Sequence, residues 1–199
     1  MKANFWMLFF ITLIIIVITG VFGGLASRVP NLAGLINLMA FVFQLFIGIG
    51  LIKISLKLCD GQPIEINDLF SGYRLFWKYL AVSILVGLIV LGGFILLIVP
   101  GIIWAIKYQF TQYLVVDKNM GVIEAIKRSG LMTKNEKWNL FLFGLLLGLI
   151  NIAGAIVFGV GLFATIPTTM IAAAFVYRKL ASAEGAMEVL SDKTPAPVA

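Results

Sequence analysis

The sequence contains no histidine and a single cysteine, Cys59, and only 12% of its 199 residues are charged. Without histidine the chain lacks the commonest general base and the commonest metal ligand, which excludes histidine-based triads and histidine-containing zinc sites. One cysteine excludes a disulfide scaffold. The charges are too few for a water-soluble domain, which carries about 25%. They are also too few for a disordered chain, which is polar and highly charged. What is abundant is apolar surface: 61% of the residues are hydrophobic and the mean hydropathy is +1.08. The composition reads as an all-α, polytopic integral membrane protein.

A bilayer core of about 30 Å takes about 20 apolar residues per helix. Runs of suitable length predict six transmembrane helices, over residues 5–22, 32–52, 79–99, 102–116, 140–160 and 162–176, arranged as three hairpins. The third and fourth come from one apolar stretch, 79–116, which as a single helix would be about 57 Å long. Pro100-Gly101 divides it, and Gly159 with Gly161 divides the stretch 140–176 in the same way. The start has features of a signal peptide: Lys2, an apolar run and the small-residue site Gly24-Leu25-Ala26. Its run, Phe5 to Phe22, outlasts an h-region of about 7–15 residues, so it is read as a span.

Basic residues give the orientation. Of the fifteen lysines and arginines, thirteen fall in segments on the same side as the N-terminus. Arg28 alone falls on the other side, and Lys107 lies within a span. Basic residues accumulate in cytoplasmic loops, so both termini are placed in the cytoplasm and the protein in the plasma membrane. The net positive inner face favours anionic inner-leaflet lipids. Nothing in the residues calls for a cofactor, a metal or a nucleic acid.

Residues 1–180 read as one membrane domain and 181–199 as a cytoplasmic tail, disordered from Thr194 onward. Within the domain, the third and fifth spans align at an offset of 61 residues. Trp77 matches Trp138, Gly87 matches Gly148 and Gly93 matches Gly154. A Ser-Gly pair, Ser71-Gly72 and Ser129-Gly130, precedes each tryptophan. These matches predict two parallel repeats, 60–116 and 117–180.

The loops between hairpins are expected to form short cytoplasmic amphipathic helices. One covers residues 119–130, with Asn119 as its N-cap, Val122, Ile123 and Ile126 on its apolar face, and Gly130 at its end. Residues 60–71 are its counterpart. Trp77, Tyr79 and Trp138 fall where an inner aromatic belt would lie.

Several of these motifs occur together in a known group. Asp68-Leu69-Phe70-Ser71-Gly72-Tyr73 is followed by Ile98-Val99-Pro100-Gly101-Ile102-Ile103 and Tyr108. Asp117 and Glu124-Ala125-Ile126-Lys127-Arg128-Ser129 come next, ahead of Lys137-Trp138. Over roughly residues 60 to 180 the chain resembles a largely uncharacterised family of prokaryotic six-helix membrane proteins. That family is related to the membrane domain of glycerophosphoryl diester phosphodiesterases. The resemblance implies a six-helix integral membrane protein with no settled activity. In the fused members the hydrolase is a separate soluble barrel, none of which lies in these residues, so phosphodiesterase activity is not implied.

A charge inside the bilayer is costly and marks a functional candidate. Lys107 is that residue. In one reading it faces the bundle and binds an anion or a solute with Tyr108, Thr111 and Asn151. Thr168 joins them because it takes the place of Lys107 in the repeat register. In the other reading Lys107, about 9 Å from the turn at Gly101, snorkels to the outer headgroups. Pro167 should kink the sixth span among Thr165, Thr168 and Thr169. Ser83 with Gly87, and Gly144 with Gly148, are small residues four apart and are expected to pack one hairpin against the other. Gly20 and Gly24 are a similar pair, suited to contact between protomers. Asp60, Glu65 and Asp68 offer a cation site or simply a solvated loop.

No catalytic constellation emerges, and an enzyme is not expected. Two functional readings remain. The first is a non-enzymatic accessory or scaffold of the plasma membrane, working with a membrane-protein partner or as a homo-oligomer. The second is a small solute or ion transporter or channel with a polar path near Lys107.

Overall fold

The structure is a computed structural model describing residue 13 and residues 17–65, 67–70, 72–156 and 161–193. Among these residues the chain is all helical, with no strand. Helix α1 covers residues 17–28. After a short 3-10 turn, Pro30–Leu32, come α2 (Ala33–Cys59), α3 (Asn67–Phe70) and α4 (Phe76–Leu96). These are followed by α5 (Ile98–Tyr108), α6 (Thr111–Lys118), α7 (Val122–Met132), α8 (Lys137–Ile156) and α9 (Leu162–Lys193). Most of the expected first span, along with Ser71, Gly159 and the tail from Thr194, lies outside the described residues.

Among the described residues three stretches are long and apolar enough to cross a membrane: Pro30–Cys59, Tyr73–Leu96 and Lys137–Ile156. The 21 residues of α4 make a rod of about 32 Å, close to the hydrocarbon thickness of a bilayer. Only 22%, 17% and 11% of the residues in the three apolar windows are buried by the protein. The remainder is a wall of exposed leucine, isoleucine, valine and phenylalanine, a surface suited to lipid rather than water.

The expected fourth span, 102–116, is two pieces rather than one rod. Residues Gln109 and Phe110 interrupt it, leaving an α5 of 11 residues and an α6 of 8. At 1.5 Å per residue α5 reaches about 16 Å, roughly half a bilayer. The break is stabilised locally. The Thr111 hydroxyl donates to the Tyr108 carbonyl at 2.8 Å, and the Lys107 carbonyl accepts from Ser129 Oγ at 2.9 Å and Thr133 Oγ1 at 3.2 Å. These side chains take the place of the missing intrahelical donors, which is how an interrupted helix survives in a low-dielectric setting. The sixth expected span, 162–176, is the first half of the 32-residue α9, which continues into a polar second half and carries Pro167 inside it.

Close backbone approach occurs at the two hairpin turns. A Cβ on Gly93 would stand 2.9 Å from the Gly101 Cα and 2.8 Å from the Trp104 ring. A Cβ on Gly154 would stand 2.7 Å from the Thr165 hydroxyl and 3.1 Å from the Gly161 carbonyl carbon. By contrast Gly87, Gly144 and Gly148 have nothing within 4 Å, and neither do Gly20 and Gly24. The expected hairpin-to-hairpin contact through Ser83/Gly87 and Gly144/Gly148 is therefore not made. Small residues permit close approach without enforcing it; only the tight turns require it.

The packed core lies where α2, α4, α6 and α9 converge. Ile49, Val82, Leu114, Val115 and Tyr177 are almost fully buried there. Helix α7 packs on this core through Ala125 and Ser129, both fully buried, while Ile123 of the expected apolar face is exposed. Its boundaries also differ from expectation. Asn119 adopts φ 52° and closes α6 in the left-handed region, a role short polar side chains tolerate well. Lys78 Nζ holds it there, 2.8 Å from its Oδ1 and 3.0 Å from its carbonyl. Helix α7 then starts after Gly121, whose N–H lies 3.4 Å from Glu124 Oε2, and runs through Gly130 to Met132.

Candidate functional site

Lys107 sits in the last turn of α5, against α7 rather than near the outer turn at Gly101. Its aliphatic stem passes over Gly130: a Cβ there would meet the Lys107 Cε at 3.0 Å. The ammonium lies 5.1 Å from the Tyr108 ring centroid, within cation–π range. Around it opens a cleft of about 570 Å³, lined by Lys107, Tyr108, Ile126, Lys127, Gly130, Leu131, Lys134 and Lys137. Four lysines thus converge from four places: α5, α7, the turn after it and the start of α8. Among the described residues no carboxylate lines the cleft.

An apolar groove of about 530 Å³ runs between α5 and α8 beside it, lined by Val99, Ile102, Ile103, Ile106, Trp138 and Phe141. Lys137 lines both the cleft and the groove. The Trp138 ring stacks on Phe141, with centroids 5.5 Å apart, and is 70% exposed.

The other residues grouped with Lys107 in the sequence are only partly assembled. Tyr108 lines the cleft, but Thr111 is fully buried and its hydroxyl is engaged with the Tyr108 carbonyl. Asn151 lies fourteen residues beyond Lys137 on α8, about 21 Å further along that helix. Its Oδ1 is buried without a hydrogen-bond partner among the described residues. Thr168 is exposed on α9 and lines neither the lysine cleft nor the apolar groove. The structure thus pairs Lys107 with Tyr108 and leaves Asn151 and Thr168 elsewhere.

A second polar cluster went unrecognised in the sequence. Arg178 of α9 donates from Nη1 to both carboxylate oxygens of Asp117, at 3.0 and 2.8 Å, and from Nη2 to Asp60 Oδ2 at 2.6 Å. The Tyr177 hydroxyl adds a bond to Asp117 Oδ2 at 2.8 Å. One guanidinium thereby joins the ends of α2 and α6 to the middle of α9. Beside it Lys57 meets Asp68 at 2.6 Å, and the Glu65 N–H donates to the same carboxylate at 2.9 Å. Partial burial opposes ionisation of Asp68, but these bonds and the charges of Lys57 and Lys53 outweigh it and hold the carboxyl below its ordinary value. Asp60 and Asp68 are thus each committed to a cation of the chain. Among the described residues no group of three acidic or cysteine side chains is placed to hold a metal ion.

A third polar group lies among the apolar helices. Gln112 Nε2 donates to Ser83 Oγ at 3.1 Å, and the Tyr79 hydroxyl donates to Gln112 Oε1 at 3.3 Å. They border a cleft of about 370 Å³ that also touches Gln44. Ser83, expected as a packing residue, is thus a hydrogen-bond acceptor.

With this geometry in hand, the comparisons with known proteins are informative about kinship rather than chemistry. A family model described as a protein of unknown function (DUF975) matches residues 89–184, a stretch that contains the whole lysine cleft. Uncharacterised proteins of Mycobacterium bovis and of two strains of Mycobacterium tuberculosis are 26% identical over 172 residues. That alignment covers 86% of this chain and 51% of each relative, so the chain spans about half the length of the curated relatives it matches. No solved structure matches. None of these matches links the chain to the membrane domain of glycerophosphoryl diester phosphodiesterases.

Proposed function

We propose that the chain is a non-enzymatic accessory or scaffold subunit of a prokaryotic plasma membrane, threaded as six spans with both termini in the cytoplasm. In this reading it resembles membrane domains of the kind fused to glycerophosphoryl diester phosphodiesterases. The observation that carries it is the fate of the polar groups. Arg178, Asp117 and Asp60 are spent joining three helices, and Ser129 and Thr133 are spent on the Lys107 carbonyl. A transport path needs polar groups that remain available and follow one another across the bilayer. Here the lysine cleft and Asn151 are separated by about 21 Å of α8, with no shared cavity among those described. A scaffold needs a rigid, lipid-exposed body, which the Arg178 tie and the exposed apolar helices supply.

The test is flux. Purified chain in liposomes is assayed for ion and small-solute movement, with Lys107→Met beside the unsubstituted protein. The scaffold reading expects no flux from either. Flux that Lys107→Met abolishes would replace it with a transporter or channel. Cysteine-accessibility labelling at residues 28, 118 and 182 tests the threading: only the label at 28 should react from outside.

A further inference from the structure

We propose that the lysine cleft and the adjoining groove form one binding site for an anionic phospholipid. The phosphate headgroup would lie among Lys107, Lys127, Lys134 and Lys137, and one acyl chain would lie along α5. This deepens the scaffold reading by naming a ligand, and it rests on that reading's placement of the chain in a membrane.

Three observations converge on this ligand. The first is uncompensated charge. Four ammonium groups line one cleft with no carboxylate among them, and none has an ion-pair partner among the described residues. The two nearest acids in sequence are engaged with the chain: Glu124 reaches the Gly121 N–H, and Glu136 accepts from Asn139 at 2.6 Å. Like charges gathered in this way repel one another unless an anion sits between them. The second is continuity. The groove shares Lys137 with the cleft and presents Val99, Ile102, Ile103, Ile106 and Phe141. From Val99 to Ile106 is about 10 Å along α5, two-thirds of the hydrocarbon depth of one leaflet. A soluble phosphate would use only the cleft; a phospholipid uses both. The third is construction. Gly130 has no side chain where the Lys107 stem crosses α7, and Ser129 and Thr133 fix the Lys107 backbone. The lysine is therefore aimed into the cleft by its supports. Trp138, exposed at the junction of the two cavities, is in the position an interfacial aromatic takes at headgroup level.

The site makes its own probe. Full-length chain in a neutral maltoside detergent is titrated with phosphatidylglycerol brominated on its acyl chains, and tryptophan quenching is followed. Brominated phosphatidylcholine supplies the same tail with a zwitterionic headgroup, and glycerol phosphate supplies the headgroup without a tail. Saturable quenching by phosphatidylglycerol is expected, lost in Trp138→Phe. Each lysine removed should weaken it about five-fold, so Lys107→Gln with Lys134→Gln should raise half-saturation about twenty-five-fold. The paired Lys→Arg variants keep the charge and should stay within about two-fold. Ile103→Phe, which fills the groove, spares the lysines and adds no tryptophan, should also weaken it. Helical circular dichroism melts of each variant separate lost binding from lost folding.

Equal quenching by the two brominated lipids would overturn the proposal, as would Lys→Gln variants that fold and bind like the unsubstituted protein. Competition by glycerol phosphate at the concentration where the lipid saturates would assign the cleft to a free phosphate ester and remove the groove from the site. Alkaline carbonate extraction of native membranes tests the underlying reading separately. Released protein would overturn the membrane placement, whereas retained protein with no lipid preference would overturn only the site.

Discussion

Asp117 and Arg178 stand 61 positions apart in the chain and meet in a two-pronged ion pair at 2.8 and 3.0 Å. The same spacing relates Trp77 to Trp138 and Gly93 to Gly154. It also relates Trp104 to Thr165, the side chains that cover those two glycines. Both residues fall within the stretch 117–180 that is expected as the second copy, and their pair ties its first residue to a position near its end.

Breaking that pair should loosen the bundle without unfolding its hairpins. Arg178→Gln leaves Asp117 and Asp60 without their cation, and hydrogen bonds to charged groups contribute about 1.5–3 kcal/mol each. The Arg178 side chain is 31% exposed, so solvent screening lowers the expected loss to about 1–2 kcal/mol. Denaturant unfolding followed by circular dichroism measures it. The swap Asp117→Arg with Arg178→Asp should recover part of the loss; if the swap is worse than either single change, the pair is not the tie described.

The glycines divide into two classes that a pair of alanine substitutions separates. Gly93→Ala forces a methyl against the Gly101 backbone at 2.9 Å, an overpacking that costs about 1–3 kcal/mol. Gly87→Ala meets open space and should stay within about 0.5 kcal/mol of the unsubstituted protein, or be slightly more stable. Equal effects would mean that the hairpin turn is not the close contact.

Ser129 Oγ donates to the Lys107 carbonyl at 2.9 Å, and Thr133 shares its one hydroxyl proton between that carbonyl at 3.2 Å and the Ser129 carbonyl at 2.9 Å, so their removal should be non-additive. Either alanine substitution alone leaves one donor and should cost about 0.5–1.5 kcal/mol. Both together strand a buried carbonyl and should cost more than the sum. A double-mutant cycle on thermal unfolding provides the coupling, and strict additivity would count against a shared acceptor.

Acid should weaken the contact between α2 and the segment that follows it. The Asp68 carboxyl is held below its ordinary value, so the stability it contributes is complete above about pH 4. That stability is lost as pH falls through the depressed native value. Asp68→Asn should flatten this part of the stability-against-pH curve and lower stability at neutral pH. An unchanged acid limb in Asp68→Asn would assign the loss to other carboxylates.

The helical class was readable because apolar run length is a local signal, but the α4–α5 hairpin breaks at Leu97, and the Pro100-Gly101 pair expected to divide it lies inside the first turn of α5. Lys107 stood out in the sequence as the one charge inside an apolar run, but its surroundings were not readable. An apolar stretch from Ile102 to Val116 looks like one rod, and the hydroxyls that make its interruption affordable belong to Ser129 and Thr133, more than twenty residues away. The lysine cleft depends on that interruption, because it lets α7 come up against the end of α5. Asn119 was assigned to the start of a helix and proved to be the end of another. Short polar residues suit both places, and only the backbone angle distinguishes them. The Arg178 cluster was not readable either, since Asp117 and Asp60 lie 61 and 118 residues from Arg178 and no local pattern announces the contact.

The placement of the bonds also fixes an order of events during synthesis. The glycine contacts of each hairpin join residues eight or seven positions apart, Gly93 to Gly101 and Gly154 to Gly161, so each hairpin can close soon after it leaves the ribosome. Arg178 reaches back 118 residues to Asp60. The clasp on α2, α6 and α9 therefore cannot form until translation has passed residue 178. Until then α2 and α6 share only their apolar core contacts and lack the charge that ties their ends to α9.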